Sequence, residues 1–314
     1  MRTVKIFAPA TVANLGCGFD VAGMAIDSTG DVLEVGVEPG SGLSLENASG
    51  VELPPDIEDN VTTPAVRALL AAYVAEEGGC DRRVHITILK KILPGSGIGS
   101  SAASSAAAVY GLNELLGRPF TPERLVEFAM EGESLIGGGA RHADNVGPAI
   151  LGGVVLIRGY EPLDIVQLPV PGNFYASVVR PHITVTTKEG RGVLPREIPL
   201  RTAVTQWGNV GGLVAGLALG DIDLVGRSMC DAVAEPVRKR FIPGYDELKA
   251  GLFAAGAAGA NIAGSGPAVF AVCDTAAGAE RICEVMSRHF DVRGIPADVY
   301  SSKISNRGTR IIAN

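Results

Sequence analysis

The chain is poor in what nucleic-acid binding requires. Aromatic residues make up 5% of its 314 residues, with a single Trp, so exposed rings for stacking single-stranded bases are lacking. Positive charge is short as well: 27 Lys and Arg stand against 34 Asp and Glu, a net charge of −7. The electrostatic footprint of a nucleic-acid binder is therefore missing. An anionic ligand would have to be held by local geometry rather than by bulk charge. Cysteine is scarce too. Cys17, Cys80, Cys230, Cys273 and Cys283 are far apart and form no CxxC pair, which disfavours zinc and redox motifs. Free thiols in a reducing cytoplasm are the simple account. The opening MRTVKIFAPATVANLG is too polar and too broken for a signal peptide. One uncharged stretch, Ala250 to Cys273, is long enough to span a bilayer. Asn261, Ser265, Pro267 and its glycines lower its hydrophobicity, and it reads as buried in a soluble fold with no membrane partner.

What the chain does have is core-forming material. Hydrophobic residues make up 46% and charged residues only 19%, enough to bury a sizeable core and inconsistent with disorder. Short alternating runs predict strands at Val4–Ala8, Val32–Val37, Gly42–Glu46, Val84–Leu89 and Val154–Arg158. Thr63-Pro64 and Thr121-Pro122 predict helix starts, because Pro is tolerated where the first turn has no use for its missing donor. A third helix is predicted from about Ser100 to Leu116. The Pro-rich connection around Leu168–Gly172 is the expected boundary between domains 1–170 and 171–314. Beyond it, strands at Tyr175–Arg180, Ala260–Ala263, Ala268–Cys273 and Ala297–Tyr300 mix with helices at Thr202–Leu219, Leu224–Ala234, Tyr245–Ala258 and Ala277–Phe290. Strands and helices without regular alternation imply an α+β fold.

Four segments carry chemistry. In Lys90 to Leu116 a strand ends, Gly95, Gly97 and Gly99 make a turn, and a helix begins at Ser100-Ser101. Glycines let backbone approach a ligand closely, and the free N–H groups of a first helical turn favour an anion. The loop is neither a Walker A motif nor GxGxxG, since no Lys-Ser/Thr pair follows and Ser100 stands where the third Gly would be. A serine-capped turn and a serine nucleophile elbow at Ser101 are the alternatives for this segment alone. In Ala8 to Gly23, Asn14 and Asp20 are the polar groups expected to face a ligand, where an Asp can hold an ammonium; alone, both also read as turn formers. In Glu131 to Gly153, Glu133 ends a helix, where its carboxylate could hold magnesium near the glycine loop. His142, Asp144 and Asn145 then precede an apolar strand, and His142 reads as a hydrogen-bonded structural group. In Ala260 to Val272, the turn Gly264-Ser265-Gly266-Pro267 lets backbone come close to a site. Arg191, expected in a loop after a strand, and Arg238, after a Pro-interrupted helix, add guanidinium groups suited to bidentate carboxylate or phosphate binding, unless they are solvated surface charges.

Taken in order along the chain, these segments resemble the GHMP small-molecule kinases. That family's P-A-T-x-A-N-x-G-x-G-F-D segment is matched by Pro9 to Asp20, and its H-A-D-N-V-x-P by His142 to Pro148. Its phosphate loop is matched by PGSGIGSSAA, one residue shorter before the Gly97-Ile98-Gly99-Ser100-Ser101 core and with Ile for Leu. T-x-x-x-R-x-V-L-P and E-P-x-R fall at Thr187 to Pro195 and Glu235 to Arg238, and the C-terminal turn at Gly264 to Pro267. The resemblance implies an N-terminal domain with a left-handed βαβ unit, a ferredoxin-like C-terminal domain, and a site between them. It implies ATP and Mg²⁺, and, from the branch it is most similar to, L-homoserine as phosphoryl acceptor. By the same carry-over, Asn14, Asp20, Asn145, Thr187, Arg191 and Arg238 hold that substrate, with Asn145 and Arg191 catalytic. The loop Pro94, Gly95, Ser96, Gly97, Ile98, Gly99, Ser100, Ser101, Ala102 and Ala103 would hold ATP, with Asn60 at its adenine end. Ser100 and Glu133 would hold Mg²⁺, and family analogy suggests a homodimer. Three rivals remain. One is a kinase of the same family acting on another small alcohol. Another is a serine hydrolase using Ser101 with Asp144 and His182 or His289. The third is an inactive binding protein of the same fold.

Overall fold

The computed structural model describes residues 1–136, 141–304 and 306–313. Two sheets organise the chain. The first contains β1 (Arg2–Ala13), β2 (Ala22–Glu38), β3 (Leu43–Asn47), β4 (Arg83–Lys90), β5 (Val154–Tyr160) and β6 (Leu163–Leu168). The second contains β7 (Tyr175–Pro181), β8 (Gly259–Ile262), β9 (Val269–Cys273) and β10 (Ala297–Lys303), in the order β10-β7-β9-β8. The last strand, β11 (Arg310–Ile311), returns to the first sheet and pairs with β1. All pairs are antiparallel except β3 with β4. That parallel pair is joined through α1 (Thr62–Glu77), the βαβ unit the family resemblance implies.

Helix α2 (Ser100–Leu115) lies across β1 and β2, and α3 (Pro122–Ile136) packs beside it. Its Ala and Ser residues are almost all buried, so a helix with small side chains settles close to the strands beneath. In the second half, α9 (Tyr245–Ala254) and α10 (Ala276–Asp291) cover the second sheet around a separate apolar cluster that includes Phe290 and Leu252. The remaining helices are α4 (Val146–Leu151), α5 (Thr187–Gly192), α6 (Leu200–Leu219), α7 (Ile222–Ser228) and α8 (Glu235–Arg238). No described helix is long and apolar enough to cross a membrane. The uncharged stretch from Ala250 instead divides into the end of α9, β8, a turn and β9.

Several elements differ from the sequence expectation for identifiable reasons. Strand β1 does not stop before Pro9. It shifts register between Pro9 and Ala10, and this irregularity accommodates a residue that cannot donate to the ladder. The residues after Asn145 form a helical turn, α4, before the strand begins. Arg191 lies in α5 rather than in a loop, because Thr186 and Glu189 form a reciprocal capping box that nucleates a short helix. Helix α7 ends at Ser228 instead of reaching Ala234. The Asp231 carboxylate accepts the N–H groups of Val233, Ala234 and Glu235, which turns the chain and starts α8.

Candidate active site

The first turn of α2 opens into a cleft between the two sheets. Gly95, Gly97 and Gly99 all have positive φ, so the loop depends on glycine. A Cβ on Gly99 would sit 1.9 Å from Thr11 Oγ1, and one on Gly97 would sit 2.7 Å from the Gly266 carbonyl oxygen. The loop is thus clamped between β1 and the Gly264–Pro267 turn. Gly99 precedes the helix without a side-chain cap, so the first N–H groups of α2 face the cleft uncapped.

Beneath the loop lies a pair the sequence reading missed. Lys91 Nζ is 2.9 Å from Asp31 Oδ2, and both side chains are buried. Asp31 also accepts the Ile92 N–H at 2.7 Å and the Ser104 hydroxyl at 2.6 Å. Lys91 donates in addition to the carbonyl and hydroxyl oxygens of Ser100, at 2.6 and 2.5 Å. Burial lowers the Lys91 ammonium's pKa, and Asp31 opposes that shift. The only sequence signal is two lysines, Lys90 and Lys91, next to the glycine loop.

This pair changes the part open to Ser100. Its hydroxyl donates to the Ile92 carbonyl at 2.7 Å and accepts from Lys91, so it has an ammonium where a metal ion would need to sit. Ser101 also lines the cleft and stands beside Glu133. Glu133 reaches the loop because Gly132 lets α3 approach closely: a Cβ there would lie 2.1 Å from Ser105 Oγ and 2.5 Å from the Val61 carbonyl oxygen. Burial raises the Glu133 carboxyl to about 6, with Ser101 and Lys91 opposing. Its buried Oε1 has no hydrogen-bond partner. Among the described residues no group of three His, Cys, Asp or Glu could hold a metal. A cation here would take Glu133 and Ser101, completed by phosphate oxygens and water, which suits magnesium.

The opposite end of the cleft is built from the second half of the chain. Arg191 makes two parallel contacts to the Asp20 carboxylate, 2.8 Å to Oδ1 and 3.2 Å to Oδ2. Arg238 is 3% exposed and donates to two carbonyl oxygens, Gly190 at 3.0 Å and Gly264 at 2.8 Å. No carboxylate pairs with it among the described residues. Burial and the neighbouring Arg191 both lower its pKa. Phe19 presents its ring to both guanidinium groups, at 5.6 and 5.3 Å. Asn14 holds the loops together: Oδ1 accepts the Asp20 N–H at 3.0 Å and Nδ2 donates to the Gly264 carbonyl at 3.1 Å. Both Asn14 and Asp20 have positive φ, which these residue types tolerate, so the turn-forming and site-facing readings hold together.

Asn145 sits between the two ends. Its Oδ1 accepts the Thr11 hydroxyl at 2.7 Å, which leaves its amide N–H₂ as a donor to the cleft. Asp144 beside it is buried, and desolvation, reinforced by Asp20 and Glu133, pushes its carboxyl to about 8. It is therefore the protonated acid at neutral pH when the cleft holds no ligand. His142 also lines the cleft with Nε2 buried and unpartnered, so it is not the satisfied structural histidine the sequence suggested. Asn60 lines the far end beside Leu53, Pro54 and Val61, and its Oδ1 accepts from the Thr62 N–H at the start of α1.

Of the residues singled out in the sequence, Asn14, Asp20, Asn60, Pro94, Gly95, Ser96, Gly97, Gly99, Ser100, Ser101, Glu133, Asn145, Arg191 and Arg238 line this one cleft. Ile98, Ala102 and Ala103 do not. Their side chains are buried in the core, which restricts them to main-chain contacts. The side chain of Thr187 lies outside the described residues. Among the described residues, four buried side-chain polar atoms lack a partner, Ser96 Oγ, Glu133 Oε1, His142 Nε2 and Arg191 Nε, and all four belong to residues of the cleft. Buried polar groups are normally satisfied, so this concentration marks a place where a polar ligand belongs.

Comparison with known proteins agrees with the geometry. The profile of the GHMP kinases N terminal domain matches residues 61–153, and that of the GHMP kinases C terminal domain matches residues 213–292. Homoserine kinase from Chlorobium phaeobacteroides is 44% identical, over 99% of this chain and 100% of the relative. Homoserine kinase from Chlorobaculum tepidum is 45% identical, over 100% and 99%. The crystal structure of homoserine kinase from Cytophaga hutchinsonii superposes with a TM-score of 0.92 at 45% identity, covering 99% of this chain and 98% of that one.

Two measurements check this description. Lys91→Met leaves the Asp31 carboxylate buried and unpaired, and should cost about 3–5 kcal/mol in urea unfolding. The second concerns pH. Asp144 binds its proton more tightly in the folded than in the unfolded chain, so its stabilising contribution is complete at low pH and is lost as pH rises to about 8. Ligand-free wild type should therefore lose stability relative to Asp144→Asn between about pH 4 and pH 8. A difference independent of pH would refute the raised carboxyl.

Proposed function

The chain belongs to the GHMP kinase family, and from that premise we propose that it transfers the γ-phosphoryl group of ATP to the side-chain hydroxyl of L-homoserine. The product is O-phospho-L-homoserine, on the route to threonine. One observation carries the choice of acceptor. The cleft contains a buried guanidinium, Arg238, that has only carbonyl partners, next to an Asp20–Arg191 pair. A buried charge without a counter-ion is costly, and an α-amino acid supplies the missing anion. Its carboxylate would take Arg238 and Arg191, and its ammonium would take Asp20, so each member of the ion pair exchanges a protein partner for a ligand partner. Mevalonate has no ammonium and a sugar has neither charge.

At the other end, the uncapped first turn of α2 and the glycine loop suit the phosphates, and the apolar surface around Leu53 and Pro54, with Asn60, suits the adenine. Ser101 and Glu133 would hold Mg²⁺, which neutralises charge on the phosphoryl oxygens when bound. Phosphoryl transfer passes through a loose transition state, so positioning does most of the catalytic work. Asn145 offers the reacting groups a hydrogen-bond donor and has no useful affinity for a proton. Asp144, whose carboxyl is raised by burial and by Asp20 and Glu133 in the ligand-free cleft, is not assigned as the base. The hydroxyl proton leaves late, to the transferring phosphoryl group. The five free cysteines are compatible with a cytoplasmic enzyme.

The decisive assay couples ADP release to homoserine, with mevalonate, galactose, shikimate and serine as competing acceptors. Homoserine should be the preferred one. Arg238→Met should lower kcat/KM for homoserine by about 30- to 1,000-fold, or about 2–4 kcal/mol, through KM for homoserine and with little change in KM for ATP. A defect that followed ATP instead would remove Arg238 from the acceptor site. For the metal, Ser101→Ala and Glu133→Gln should raise the Mg²⁺ concentration needed for half-maximal turnover. Ser100→Ala should leave that requirement near wild type, and an equal shift in all three variants would restore Ser100 as a ligand.

A further inference from the structure

Asp20 is held at both ends of its backbone by side chains. Its φ of 59° lies in the left-handed region, which a non-glycine residue keeps only where its surroundings fix it. Asn14 Oδ1 accepts its N–H at 3.0 Å. Its carbonyl oxygen accepts from the Tyr160 hydroxyl at 2.6 Å. Tyr160 belongs to none of the segments that the sequence singles out, and it does not line the cleft. Its hydroxyl has a second contact and accepts the Ala143 N–H at 3.3 Å. A phenol has one proton to give and lone pairs to receive, and both capacities are used here.

The strand explains how Tyr160 arrives there. β5 pairs with Ala22, Gly23 and Met24 of β2, and the Ile157 N–H donates to the Val21 carbonyl at 2.7 Å, so the end of β5 runs past Asp20. Strict alternation would put Tyr160 on the same face as Arg158, whose side chain is 70% exposed. The pairing of β5 with β6 is irregular between Ile157 and Gly159, and a bulge of this kind re-aims the residues that follow it. Tyr160 turns back to the loops and is half-buried. Burial, reinforced by Asp144, raises its pKa, so it is a neutral phenol that can donate at neutral pH.

The two partners of Tyr160 belong to different parts of the acceptor site. Asp20 is the group assigned to the ammonium. Ala143 stands two residues before Asn145, whose amide faces the reacting hydroxyl. Across the same gap His142 Nδ1 and Asp20 Oδ2 are 3.7 Å apart, too far for a hydrogen bond. We propose that Tyr160 is a positioning residue that determines acceptor length. By tying the Asp20 loop to the segment leading to Asn145, it sets the span between the ammonium anchor and the donor at the hydroxyl. Three carbons separate nitrogen from hydroxyl oxygen in homoserine, and two in serine. The specificity role rests on homoserine as the acceptor, whereas the bridge itself does not.

The test uses the whole enzyme and Tyr160→Phe, which keeps the ring and its packing and removes only the hydroxyl. The acceptors are homoserine, serine and 2-amino-5-hydroxypentanoate, which is one carbon longer than homoserine. For homoserine kcat/KM should fall about tenfold, with KM for ATP unchanged. The preference for homoserine over each of the other two should also narrow about tenfold, because a looser span no longer rejects the wrong length. A merely structural residue would lower all three acceptors alike, and that result overturns the proposal. The bridge also has a readout that needs no acceptor. In hydrogen exchange of the ligand-free enzyme, Tyr160→Phe should speed exchange at residues 14–21 and 141–147 about tenfold and leave α9 and α10 as in wild type. Unchanged exchange in both segments overturns the proposal whatever the acceptor. Faster exchange in a chain whose wild type turns over none of the three acceptors would overturn homoserine as substrate, and the specificity role with it.

Discussion

The cleft depends on one buried carboxylate. Asp31, on β2, accepts from the Lys91 ammonium, the Ile92 N–H and the Ser104 hydroxyl, and so joins a central strand, the chain entering the glycine loop and the second turn of α2. A charge in that position is tolerable only if its hydrogen-bonding capacity is filled, and here it is. The consequence for the site is rigidity where it matters. The uncapped N–H groups of α2 are held in place before any phosphate arrives, so ligand binding need not spend free energy on ordering them.

The same logic, reversed, governs the ligand-facing side. There the groups are buried and left incomplete. Arg238 has carbonyl partners only, Glu133 has a free carboxylate oxygen, and Asp144 avoids an unpaired charge by holding its proton. Such an arrangement costs stability in the ligand-free chain. On the proposed reading that cost is recovered on binding, because each incomplete group would be complemented by a particular part of the ligands, a carboxylate, a cation or a polar oxygen. Specificity between an amino acid and a neutral alcohol then follows from which groups remain unsatisfied when the wrong molecule enters.

Much of this was legible in the residues, and the limits have physical causes. The glycine loop could be read because positive φ at Gly97 and Gly99 leaves a mark in composition, and the two arginines because their short motifs recur in order. The role of Lys91 was not, since nothing in a Lys-Lys pair reveals that a carboxylate some sixty residues earlier lies beneath it. Ser100 and Ser101 are neighbours of one type, and only side-chain direction tells which hydroxyl is tied to Lys91 and which stands beside Glu133. Arg191 was expected in a loop, because a Thr-x-x-Glu capping box before a helix of only six residues is weak evidence until its reciprocal bonds are seen. Ile98, Ala102 and Ala103 belong to the motif for packing reasons, and a motif does not distinguish packing from contact.

An acidic chain proposed to bind a nucleotide and the carboxylate of an amino acid has to separate long-range from short-range electrostatics. Net charge acts over a distance set by salt screening, about 8 Å at physiological ionic strength. Among the acidic and basic groups that line the cleft, the Lys and Arg side chains are Lys91, Arg191 and Arg238, and with the positive end of α2 they act at short range in a poorly screened setting. The overall charge of −7 therefore disfavours polyanions, which need an extended basic surface, while leaving small anions free to bind. Helix α6 follows the same separation. Its inner face fixes the loops that carry Cys17 and Asp231, close to Asp20 and Arg238, and its outer face carries no charge.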